Sequence, residues 1–122
     1  MLIGTYEVWL DEDREFRLPE KIFAGLCPGG GKGEVWFAPS FYLRCYSFEN
    51  VRKYCASLGS FNDEHANRWI RLTATEGMTK VWHDGTLRIP ETFCRYFGFK
   101  PEQKIILQGY INYIELQPSS RA

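Results

Sequence analysis

The 122 residues carry no excess charge of either sign: 15 basic groups balance 15 acidic ones. Neither half departs from neutrality by more than one charge. Affinity for a phosphate backbone comes from clustered Lys and Arg, so a single copy has no chain-wide field for nucleic acid. A local basic patch, multiplied by association of copies, is not excluded. No apolar run approaches the ~18 residues of a membrane span. Met1–Tyr6 lack a basic region followed by an apolar one, so a cytoplasmic chain without a secretory signal is expected. Cysteine is sparse and never spaced as C-x-x-C. Cys27, Cys45, Cys55 and Cys94 read as ordinary thiols in a reducing compartment. With His65 and His83 they form no zinc-ligand spacing. His83 stands beside Asp84, but no Ser or Cys is placed as a nucleophile, so His83 reads as a turn residue. "GLCPGGGKG" (25–33) misses a Walker loop: Leu26 replaces its first Gly and Gly33 its hydroxyl. It reads as a flexible connection. No enzyme, cofactor, metal or small-molecule substrate is expected.

What the chain does have is a repeat. "FRLPE" (16–20) returns as "LRIPE" (87–91), and Pro19 and Pro90 lie 71 positions apart. Upstream stand "TYEVWLDEDRE" and "MTKVWHDGT", each reading as strand, turn and strand. Aligning Val8-Trp9 with Val81-Trp82 makes the first turn two residues longer than the second, which centres on Asp84-Gly85. Each proline then opens a short helix: "PEKIFAGL" with Ile22, Phe23 and Leu26 inward, "PETFCRYFGF" with Phe93, Tyr96 and Phe97 inward. Each helix leads to a hairpin, one turning at Pro39-Ser40 and the other near Gly109.

The expected fold is therefore α+β and β-rich. It is one domain over 1–122, with two pseudo-symmetric strand-turn-strand-helix-hairpin repeats at about 3–47 and 78–117. Neither repeat holds enough strands to stand alone, so the two are expected to share one core. Helices in about 48–77 join them. One is capped by Ser47, with Phe48, Val51, Tyr54, Cys55 and Leu58 on one face. The other starts near Asn62, buries Ala66, Trp69, Ile70 and Thr73, and stops at Gly77. Trp9, Trp36, Trp69 and Trp82 read as core or interface residues rather than base-stacking platforms, and His65 as a helix-surface residue.

These features resemble the MraZ family, whose fold belongs to the AbrB/SpoVT-like swapped-hairpin class. Gly4, Tyr6, Leu10, Asp11, Leu18 and Pro19 fall in register with the family's opening. "YSFENVRKYCASL" and "NRWIRLTATEGMTKVWHDGTLRIPE" are similar to its later segments, so the resemblance covers nearly the whole chain. It implies a swapped-hairpin barrel and a transcriptional regulator of the bacterial division and cell-wall gene cluster. Such a regulator forms an oligomeric ring and reads repeated promoter sequences with an Asp-x-x-x-Arg motif in each half. It also implies a cytoplasmic, nucleoid-associated protein.

Both motifs are altered here. Asp11 opens the first, but Glu15 stands where the Arg belongs and Arg14 replaces the preceding Gly. Counted back from Pro90, the second places Trp82 at the Asp position and Thr86 at the Arg position; only Gly85 matches. If a gap is allowed instead, Asp84 becomes the Asp and no Arg follows.

Residues two apart share a strand face, so Arg17 and Arg88 are candidates for a displaced contact. The alternative is cross-strand ion pairing with Glu7, Glu15 or Asp84, weak at a surface. Residues 11–17 hold four acids against Arg14 and Arg17, net −2; residues 80–88 hold Lys80 and Arg88 against Asp84, net +1. The DNA-contact candidates are therefore Arg88, Lys80, Arg17, Arg14 and Thr86, with the second hairpin expected to dominate. The expected partners are promoter DNA and further copies of the chain. The rival expectation is a MraZ-fold protein that has lost DNA binding and serves as an oligomeric assembly module.

Overall fold

A computed structural model describes residues 2–28 and 33–119 of the chain. Eight strands and four helices are described, in an α+β arrangement. Strands β1 (Gly4–Trp9) and β2 (Glu15–Arg17) lead into helix α1 (Glu20–Leu26). The pair β3 (Gly33–Ala38) and β4 (Leu43–Tyr46) follows, then helices α2 (Phe48–Gly59) and α3 (Glu64–Glu76). The first pattern then recurs as β5 (Met78–Val81), β6 (Thr86–Arg88), α4 (Glu91–Phe97), β7 (Lys104–Gly109) and β8 (Tyr113–Pro118). Residues 29–32 of the Gly-rich stretch lie outside the described residues.

The two halves exchange strands. β1 pairs with β7, β5 with β3, and β4 with β8, all antiparallel, giving a six-stranded sheet in the order β1-β7-β8-β4-β3-β5. β2 and β6 pair with each other as a separate two-stranded ribbon. Neither half closes its own hydrogen bonds, so neither is complete without the other.

The core repeats this reciprocity. Leu10 and Val81, Phe16 and Leu87, Leu18 and Ile89, Ile22 and Phe93, and Leu43 and Ile114 occupy matching places in the two halves and are all buried in one cluster. Along β2 and β6 the central residue faces inward and its neighbours face out, the period of two that a half-buried ribbon requires.

The turns are the same length, which corrects the Val-Trp alignment. In the first hairpin Asp11 N–H donates to the Glu15 carbonyl and Arg14 N–H to that of Asp11. In the second, Trp82 N–H donates to the Thr86 carbonyl and Gly85 N–H to that of Trp82. Each is a tight turn followed by one left-handed residue, Arg14 at φ 61° and Gly85 at φ 90°. Trp82 thus matches Asp11 rather than Trp9. The shared Val-Trp letters mislead because matching inward positions (Leu10 and Val81) outweigh a coincidence of composition.

α2 packs on β3 and β4, and α3 on β3 and β5. Ser47 Oγ caps α2 by accepting from Asn50 N–H at 3.3 Å. Asp63 caps α3 through Ala66 N–H at 2.7 Å, one residue after the expected Asn62. Gly77 ends α3 against β3, where a Cβ would collide with the Phe37 carbonyl oxygen. Under α2 lie Ala38, Tyr46 and Val51. Phe48 and Tyr96 depart from the expected inward stripes and are more than half exposed. Trp69 and Ile70 are half-buried rather than buried.

Candidate functional site

The ribbon β2–β6 displays the candidate residues. Phe16 and Leu87 face each other inward, which leaves Glu15, Arg17, Thr86 and Arg88 on the outer face. Strand register sets Glu15 opposite Arg88 and Arg17 opposite Thr86. Each Arg therefore faces a residue of the opposite strand that is not an Arg.

The two arginines differ in their partners. Arg88 Nε lies 3.8 Å from Glu15 Oε2, and its Nη2 lies 4.0 Å from Asp13 Oδ1. Its side chain is 59% exposed, so these are surface pairs of about 0–1 kcal/mol each. Arg17 Nε donates to the Asp84 carbonyl at 2.9 Å and makes no ion pair among the described residues. It borders a groove of about 570 Å³ lined also by Phe23, His83 and Asp84.

Arg14 and Lys80 are set apart from this face. Arg14 sits at the left-handed turn position, half-buried, with its Nε enclosed and without a hydrogen-bond partner among the described residues. Lys80 is exposed on β5, in register with Glu34 on β3, within the other sheet. The structure thus gathers Arg17, Thr86 and Arg88 and leaves Arg14 and Lys80 outside.

The turns are held by carboxylates at different positions. Asp11 Oδ1 accepts from Asp13 N–H at 2.8 Å and Glu15 N–H at 2.9 Å. Trp82, at the matching place, cannot do this. Asp84 Oδ1 instead accepts from Thr86 N–H at 3.0 Å, and that bond holds the Asp84 carboxyl below its ordinary range. Trp82 is left 64% exposed at the tip, beside the buried Val81. Of the core-or-interface reading, exposure removes the core alternative for Trp82 and for Trp9, which is 66% exposed. The signal was available: counting without a gap from Pro90 places residue 82 on the outward side.

Outside the ribbon, Arg44 is largely buried, stacked 4.3 Å from the Tyr113 ring centroid and 5.2 Å from that of Tyr54. It donates to Tyr46 Oη and lies 3.5 Å from Glu115 Oε2. This cluster fastens α2 to the sheet. Among the described residues no group of three His, Cys, Asp or Glu converges to hold a metal, and no helix is long and apolar enough to cross a membrane. No protein-family model matches the chain, and no curated protein matches it.

Proposed function

We propose that the chain is a DNA-binding transcriptional regulator of the MraZ kind, acting as an oligomer through its outer β2–β6 face. The supporting observation is that Arg17 and Arg88 stand across the ribbon from Thr86 and Glu15, the two positions that the resemblance assigns to DNA-contacting arginines. A two-stranded ribbon fits a major groove, and a guanidinium there can reach phosphate or a base edge. In the same reading, the strand exchange β1–β7 and β5–β3 is a swapped-hairpin arrangement, closed by the ribbon into a barrel. Exposed Phe41 (95%) and Ile111 (63%) support association of copies, which would multiply a contact that is weak in one neutral chain.

A second reading has its own observation. Asp13 and Glu15 already engage Arg88, and the first hairpin is acidic, which favours an assembly module that no longer binds DNA. A mobility shift on the promoter upstream of its own gene, run across a salt series, separates the two. The regulator binds at low salt, and Arg17→Ala lowers the slope of log affinity against log salt by about one. Arg88→Ala has the smaller effect, because two carboxylates already offset its field. Absence of binding at low salt, with a light-scattering mass well above 14.3 kDa, establishes the assembly module instead.

A further inference from the structure

We propose that Trp82 is a base-contacting residue of this face, packing its indole on thymine methyl groups in the major groove; the inference rests on the DNA-binding reading above. Trp82 N–H donates to the Thr86 carbonyl at 2.9 Å, and Thr86 stands opposite Arg17. The backbones of residues 82, 86 and 17 therefore form one cross-strand row over the second hairpin tip and β2. The matching row from the other half is Asp11, Glu15 and Arg88, in which the only cation is already paired. The two rows are geometrically equivalent and chemically opposite. The Trp82 row sets Arg17, which makes no ion pair among the described residues but whose charge the Asp84 carboxylate feels, beside an apolar residue.

Nothing in the hairpin requires an indole at this position. Asp11 fastens its own turn, whereas Asp84 has taken over that task in the second hairpin. Trp82 is 64% exposed while Val81 beside it is 2% exposed, so the core does not use it. The chemistry beside it narrows the occupant. An apolar protein partner has no need of the adjoining Arg17, whereas a duplex offers phosphate or guanine to the guanidinium and the thymine C5-methyl to the indole.

The test uses the full chain with Trp82→Ala, Trp82→Phe and Arg17→Ala. Each is titrated against the promoter duplex, made once with thymine and once with deoxyuridine, which lacks the methyl group. On the thymine duplex, Trp82→Ala binds about tenfold more weakly, with an unchanged salt slope, since the contact is apolar. Deoxyuridine weakens the wild type by a similar factor and leaves Trp82→Ala without further loss. Trp82→Phe keeps most of the affinity, which separates a lost contact from a lost fold. If Trp82→Ala matches the wild type on both duplexes, the Trp82 contact is overturned and the DNA reading stands. If Trp82→Ala suffers the full deoxyuridine loss as well, the contact is not with the methyl group and the proposal falls. If Trp82→Ala lowers the assembly mass and leaves DNA affinity intact, Trp82 belongs to a protein interface. If the wild type binds neither duplex at low salt, the Trp82 contact falls together with the DNA-binding reading.

Discussion

Replacing Arg14 by Gly should stabilise the protein. Arg14 holds φ 61°, the place that Gly85 fills in the second hairpin at φ 90°. A left-handed residue with a Cβ carries a conformational penalty of about 1–2 kcal/mol. Glycine removes that strain but adds about 0.5–1 kcal/mol of unfolded-state entropy. The enclosed, unpartnered Arg14 Nε is a further unfavourable contribution that disappears with the side chain. Lost packing of the half-buried stem offsets part of the gain. The net expectation is about 1 kcal/mol, a rise in Tm of roughly 3–5 °C for a domain of this size. Arg14→Ala keeps the strained φ and should gain less. In the other hairpin, Gly85→Ala should lose about 1–2 kcal/mol, because its Cβ meets only ordinary contacts at 3.5 Å and the backbone alone objects. Thermal and urea melts of the three variants test the set. A destabilised Arg14→Gly would refute the reasoning and show that side-chain packing, not backbone strain, governs the turn.

Arg44→Ala should lose about 3 kcal/mol, since it leaves Glu115, whose side chain is 10% exposed, without its cation; urea unfolding measures this. Asp84 has its pKa lowered in the folded state, so its contribution is present above the ordinary value of 3.8 and fades as pH falls through the lower folded value. Melts at descending pH should therefore show a smaller acid loss in Asp84→Asn than in the wild type. Residues 1–60 expressed alone should be unfolded or aggregated, because β1 and β3 lose β7 and β5; a soluble fragment with a cooperative melt would count against the shared core.

Much of this architecture was legible in the letters, for identifiable reasons. The repeated Leu-Pro and Ile-Pro fixed where each ribbon strand ends and each short helix begins, because proline removes a donor and presets φ. Ser47 marked the start of α2 because its hydroxyl satisfies an orphan N–H at a helix end. The alternation of Phe16 with Arg17 and of Leu87 with Arg88 showed which side chains face outward. These are local effects, settled within a few residues. Three matters were decided only by tertiary structure. Strand exchange depends on hydrogen bonds between residues as far apart as Gly4 and Gly109, which no local propensity encodes. The equal length of the two turns followed from Leu10 and Val81 sharing one core, against the pull of the matching Val-Trp letters. The different states of the two arginines came from cross-strand register. Arg88 meets Glu15 and Asp13, whereas Arg17 meets Thr86 and a carbonyl, because partners on a neighbouring strand are chosen by the fold and not by the chain.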